Sequence, residues 1–121
     1  MNPTQTNGSR ILVFAGGVVG AAGVALSAAA AHRGGAFTGT AASFLLMHAP
    51  VFLAVGLIGA KRCLWVASLV LLAGLLLFAG DLVARDVLGS RLFPMSAPIG
   101  GTLLIAGWLA MAASALPRRR S

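Results

Sequence analysis

Acid is almost missing from this chain. Asp81 and Asp86 are the only acidic residues among 121, against nine lysines and arginines, and charged residues make up 9% of the sequence. A soluble domain carries roughly 25%, because a small fold has a large surface that must face water. So few charges exclude a water-soluble globule and make lipid the solvent for most of the surface. Cysteine is scarce too. Cys63 stands alone, which excludes an intrachain disulfide and a multi-cysteine metal site. The apolar segments also lack the period-two alternation of a membrane barrel. The net charge of +7 would ordinarily raise nucleic acid as a partner. Here the basic residues are scattered between apolar runs, so nucleic acid is not expected, and the charge is read as topology information.

What the sequence does have is four apolar stretches without a single Lys, Arg, Asp or Glu: 11–31, 41–60, 63–80 and 97–116. A helix needs about 20 residues, at ~1.5 Å each, to cross ~30 Å of hydrocarbon. In lipid, a segment standing alone satisfies its backbone only as a helix. The predicted fold is all-α and polytopic, with four antiparallel transmembrane helices in a compact bundle. Residues 1–10 form a polar N-terminal segment, 11–116 the transmembrane domain, and 117–121 a basic C-terminal tail. Residues 81–96 form the one longer loop, with a short helical extension before Gly89. Ser96 is expected to cap the last helix, with Pro98 in its first turn. Arg10, the run after it and Ala29-x-Ala31 also fit a secretory signal, but 11–31 is longer than the roughly 7–15 residues of an h-region. The first stretch is therefore expected to remain as a span.

Four spans put both termini on one side. That side holds Arg10, Lys61, Arg62, Arg118, Arg119 and Arg120; the other holds Arg33, Arg85, Arg91 and both aspartates. The excess of basic residues places the termini in the cytoplasm. The arginine tail is expected to lie against anionic headgroups.

Helices in lipid associate by close backbone approach rather than by the hydrophobic effect, so small residues mark interfaces. Gly16 and Gly20 form a GxxxG pair, and Gly23, Ser27 and Ala31 continue a second row of small residues. Gly100, Gly101 and Gly107 on the last helix are the expected mates of the first. The same faces would also serve a homo-oligomer. Trp65 fits an interfacial belt, whereas Trp108 lies deeper and is expected to pack.

Few polar groups lie within the spans. His48 stands two residues before Pro50, where a kink is expected. A membrane histidine is most often neutral and bonded to a neighbouring helix, with proton handling or ligand binding as the alternative. With termini inside, His32, His48, Asp81 and Arg85 form a candidate polar cluster in the outer half. If the third helix continues for one turn, Arg85 can pair with Asp81; His32 or a backbone N–H could serve instead. The cluster reads either as an ion pair closing the bundle or as an outward-opening pocket of His32, His48 and Asp81. Such a set could bind a divalent metal, but nothing in the spacing demands one, and neither metal nor cofactor is expected.

These positions carry a resemblance. GDL within LLFAGDLVAR, then LFPMSAPIGG, then AGWLAM resemble the YgdD-type family of small bacterial inner-membrane proteins, domain-of-unknown-function family four-two-three. Its GAxGAH motif reads SAAAAH here, from Ser27 to His32, keeping the histidine and losing both glycines. His48 in SFLLMHAP, the step Phe78-Ala79-Gly80, the run Ala97-Pro98-Ile99-Gly100-Gly101, and Ala106-Gly107-Trp108 also match. The resemblance runs from Ile11 to Ala115. It implies four membrane helices, retention of the first segment, and no established biochemical activity.

The function expected from these features is that of a non-enzymatic integral membrane protein, acting by packing against itself, a partner or lipid. The alternative is a small transporter or channel-like homo-oligomer using the pocket at His32, His48 and Asp81. Small multidrug exporters rely on a carboxylate in the first span, and none is present here. Ser27, Ser43, His48, Ser68, Thr102 and Ser114 do not line up as a pore would need. No catalytic residues are expected, because no nucleophile stands beside a base.

Overall fold

Thr6 sets where the first helix begins. Its hydroxyl accepts the backbone N–H of Ser9 at 3.1 Å, so the helix starts well before the apolar run does. The computed structural model describes residues 6–59 and 61–117. Four helices follow in order: α1 (Asn7–Arg33), α2 (Ala36–Ile58), α3 (Arg62–Val87) and α4 (Ser96–Ser114). There is no strand among the described residues. Each helix is long and apolar enough to cross a membrane, and the chain is built as a multi-pass membrane protein. Phe14, Val24, Leu57, Leu76, Ile105 and Leu109 are each more than half exposed, as lipid-facing residues should be. The expected tail of Arg118, Arg119 and Arg120 and the start of the polar N-terminal segment lie outside the described residues.

α1 and α3 overrun their apolar stretches at both ends and α2 and α4 at their start, and the longer overruns have physical causes. Arg10 lies inside α1, near its start, where a long side chain can reach the interface. At the other end, Gly34 and Gly35 both have positive φ, 77° and 101°. They turn the chain so sharply that α2 starts at Ala36, ahead of its apolar run. The α3 helix continues through Asp81, Arg85 and Asp86 to Val87. The helical extension expected before Gly89 is therefore present, over residues 81–87 of the segment expected as loop. Gly59, at φ 63° in the left-handed region, ends α2. Pro50 sits inside an α2 that continues on both sides of it.

The α1 helix packs along α2, α2 along α3, and α3 along α4. This corrects the expected pairing of the first helix with the glycines of the last. The spacing that matters is seven residues, not four. Along α1, Ser9, Gly16 and Gly23 are buried with Leu12 and Val19 between them, the seam of near-antiparallel helices crossing at a shallow angle. Leu53 of α2 fills the hole at Gly16, and Leu46, seven residues earlier, fills the hole at Gly23; a Cβ on either glycine would lie 2.8 Å from the leucine Cγ. Gly56 answers from α2, where a Cβ would meet the carbonyl of Ser9 at 2.8 Å. Gly20 only borders Ala49, at 3.6 Å, while Ser27 and Ala31 are exposed.

The second hairpin repeats this design. Gly100 and Gly107, again seven apart, face Phe78 and Leu71 of α3, and Gly74 faces Leu103 and Leu104 in return. The closest approach is at Gly100, where a Cβ would lie 2.6 Å from the backbone nitrogen of Phe78. Gly101 points past the interface, with only the Phe78 ring edge at 3.9 Å.

Hydroxyls in the spans turn back on their own helices. Ser43 donates to the Gly39 carbonyl, Ser68 to Leu64, Thr102 to Pro98 and Ser114 to Met111, so these four hydroxyls do not present unpaired donors to hydrocarbon. Trp65, expected in an interfacial belt, lies against Gly8.

The seven-residue seam gives a sharp contrast. Gly100→Ala forces a methyl into backbone that cannot retreat, and should destabilise the protein by about 1–3 kcal/mol. Its neighbour substitution Gly101→Ala should be close to neutral. Thermal unfolding of both variants in mild detergent checks this, and equal effects would contradict the seam.

Candidate functional site

The continuation of α3 beyond its apolar run puts both carboxylates at the rim where α1 ends and α2 begins. Asp81 is fully buried. Its Oδ2 accepts from Arg85 Nε at 3.0 Å and pairs with Arg85 Nη2 at 2.9 Å, one helical turn on. Its Oδ1 accepts the backbone N–H of Leu92 at 3.0 Å and the hydroxyl of Ser96 at 2.6 Å. Ser96 is thus not the cap expected of it. It is the first residue of α4, and its side chain runs back to α3. Between Leu92 and Ser96 lies Met95, a non-glycine residue at φ 69°, a conformation that costs about 1–3 kcal/mol and persists only where its surroundings impose it. Asp81 grips the chain on both sides of that residue.

Asp86 does a different task. Its Oδ2 accepts the backbone N–H of Thr38 at 2.6 Å and the Thr38 hydroxyl at 2.7 Å. Thr38 is the third residue of α2, and its N–H is one that a capping side chain from the residue before the helix would ordinarily satisfy. That residue is Gly35, which has no side chain. The cap therefore comes from α3, and a Cβ on Gly35 would stand 2.7 Å from the Asp86 carboxylate. Glycine is required there twice over, for its φ of 101° and for the space. The Arg85 guanidinium completes the rim, 5.3 Å over the ring of Phe37.

His48 lies apart from this cluster. It is buried on α2, and its Nε2 is 3.1 Å from the indole nitrogen of Trp108 on α4. An indole nitrogen only donates, so Nε2 must be the acceptor and Nδ1 must carry the hydrogen. Nδ1 then donates to the Phe44 carbonyl at 2.7 Å. The ring is a neutral tautomer with both nitrogens used, flanked by the rings of Phe44 and Trp108. Trp108 was expected to pack, and it does so as a donor.

The expected cluster of His32, His48, Asp81 and Arg85 therefore divides. Asp81 and Arg85 pair. His48 stands deeper: Phe44 faces Phe78 across the α2–α3 interface, and His48 and Asp81 lead away from that contact in opposite directions along antiparallel helices, some ~10 Å apart along the axis. His32 is exposed near the end of α1. The three do not line one pocket, and no three His, Cys, Asp or Glu side chains among the described residues converge on a metal-sized space. The void at this rim is a cavity of about 450 Å³ bordered by Arg33, Gly34, Gly35, Thr38 and Asp86. Sequence reasoning placed Asp86 and Arg33 on this side but gave them no role. The signal was the diglycine, since a helix beginning without a capping side chain needs its acceptor from elsewhere.

As chemistry, the Asp81 carboxylate has every strong acceptor direction filled, and the His48 ring has no free nitrogen. Neither is poised to take a proton from a substrate. The sequence profile of one family, described as Protein of unknown function (DUF423), matches residues 17–101. That stretch holds both carboxylates, His48 and Gly100; Trp108 lies beyond it. No solved structure matches the chain.

Two measurements check the rim. Asp81→Asn and Arg85→Gln should each destabilise, and a double-mutant cycle in detergent should return a coupling of about 1–3 kcal/mol; additive effects would remove the pair. Asp86→Ala should cost about 1 kcal/mol, the value of a cap, and should speed hydrogen exchange at the Thr38 amide more than at amides in the middle of α2.

Proposed function

The chain belongs to the DUF423 family, described only as protein of unknown function, and from that premise we propose that it is a non-enzymatic membrane protein acting by packing against itself, a partner protein or lipid. One observation carries this reading. The buried polar side chains that could do chemistry are spent within the fold: Asp81 on Arg85, Leu92 and Ser96, and His48 on Phe44 and Trp108. What the protein offers outward is apolar helix surface and two polar rims.

The reading extends to orientation. The protein sits in the inner membrane of a bacterial cell with both termini in the cytoplasm. Arg10, Lys61 and Arg62 share the rim of the termini, which holds no aspartate or glutamate among the described residues. At the opposite rim Arg85 is neutralised by Asp81, leaving Arg33 and Arg91 against Asp86. The basic excess belongs on the cytoplasmic side.

Cys63 is exposed at the first rim and is a built-in reporter. A membrane-impermeant maleimide should label Cys63 only after cells are permeabilised. In a Cys63→Ala background, Ser90→Cys should label from outside without permeabilisation. The reverse pattern would overturn the orientation. The non-enzymatic reading has its own test. His48→Ala should lower the melting temperature in detergent, and any cellular phenotype should follow the amount of folded protein. A variant of normal stability and abundance that nevertheless loses the phenotype would overturn it.

A further inference from the structure

The rim cavity does not end at the rim. It shares Leu26 and Val83 with a second, apolar hollow of about 300 Å³, which continues down the outside of the bundle between α1 and α3. Val18, Ala22, Leu76 and Gly80 line this groove. It exists because α1 packs on α2 rather than on α3, and because Ala22, Ala79 and Gly80 leave a furrow where larger side chains would have closed it. From Arg33 at the mouth to Val18 at the foot is 15 residues of α1, or ~22 Å. Half a bilayer with its headgroup region is about the same depth.

The mouth has a particular charge pattern. Arg33 stands on one side, and no carboxylate among the described residues lies within ion-pairing distance of it. Asp86 stands on the other. Its Oδ2 is taken by Thr38, and Oδ1 has no hydrogen bond to any described residue. A cation and an anion across one opening, above a groove one leaflet deep, fit a molecule with the same two charges and a hydrocarbon tail.

We propose that this groove binds a zwitterionic aminophospholipid, with one acyl chain between α1 and α3, the phosphate against the Arg33 guanidinium and the primary ammonium donating to Asp86. The assignment rests on the reading above that the protein acts through its membrane-facing surfaces, and gives that reading a ligand class. Three features of the site select the headgroup. A guanidinium suits phosphate oxygens. A carboxylate lining the same cavity disfavours a headgroup with net negative charge. The second oxygen of Asp86 is free to accept from an N–H donor, which a primary ammonium has and a quaternary one lacks. The cap on Thr38 holds that carboxylate in place at the mouth.

Native mass spectrometry of the full chain, released from mild detergent with equal amounts of phosphatidylethanolamine, phosphatidylglycerol and phosphatidylcholine of identical acyl chains, tests this. The ethanolamine lipid should be retained about five- to tenfold over each of the others, as one charge-assisted hydrogen bond would give. Arg33→Gln changes an exposed side chain without an ion pair and should leave the melting temperature unchanged. It should weaken retention of the ethanolamine lipid by a similar factor. Ala22→Leu fills the groove and should lower retention of all three lipids. Lys61→Gln, at the opposite rim, should change nothing. Equal retention of the three lipids, a preference for phosphatidylglycerol, or retention of the ethanolamine lipid that neither Arg33→Gln nor Ala22→Leu lowers would overturn the assignment. Those outcomes leave the non-enzymatic reading in place, because that reading falls on the His48→Ala comparison and not on lipid choice.

Discussion

A carboxylate removed from water must be surrounded by donors, and Asp81 has four: two nitrogens of Arg85, the Leu92 amide and the Ser96 hydroxyl. Without them, burying the charge would cost several kcal/mol. With them, one side chain fastens the end of α3, the loop after it and the first residue of α4, and holds Met95 in a conformation it would not choose. The second hairpin depends on this attachment. Asp86, little more than one turn further along the same helix, does the corresponding service for the first hairpin by capping α2. Two acidic residues thus fix both turns at one rim. That accounts for a sequence so poor in acid placing all of it within six residues.

Deeper in the bundle no such fastening exists, and none is needed. Within each hairpin the helices are held by backbone approach at glycines seven residues apart, with leucines of the neighbouring helix set into the holes at Gly16, Gly23 and Gly107 and the Phe78 backbone against Gly100. Hydroxyls fold back onto their own carbonyls, and the one buried histidine is closed between a carbonyl and an indole. Among the described residues the one buried side-chain donor without a partner is the indole nitrogen of Trp65, near the start of α3, and other groups with spare hydrogen-bonding capacity are left at the edges. The mouth between Arg33 and Asp86 is the clearest example, because there the polar surface meets an apolar groove.

Composition and run length made the four helices legible, because hydrocarbon imposes a length and a charge ban that leave little choice. The exact ends were not legible. Apolarity stops at Gly80, but helix does not, since Asp81 and Asp86 find their donors only when α3 continues past them. The packing partners were misassigned because four-residue spacing of Gly16 and Gly20 is conspicuous, whereas the operative pairing of Gly16 with Gly23 becomes visible only once Leu46 and Leu53 are seen at the same interval. Asp81 and Arg85 could be paired from their spacing along one helix. His48 with Trp108, and Asp86 with Thr38, could not, since sixty and forty-eight residues separate them and no local pattern encodes such contacts.

The central claim is that both carboxylates are committed to backbone and side-chain donors that hold the turns. Solid-state NMR of the full chain in bilayers, with selectively labelled aspartate, measures this directly through carbon–nitrogen dipolar transfer. The account expects short-range transfer from the Asp81 carboxyl carbon to the Leu92 amide nitrogen and from the Asp86 carboxyl carbon to that of Thr38. Carboxyl carbons that show neither transfer and exchange magnetisation only with water would contradict it.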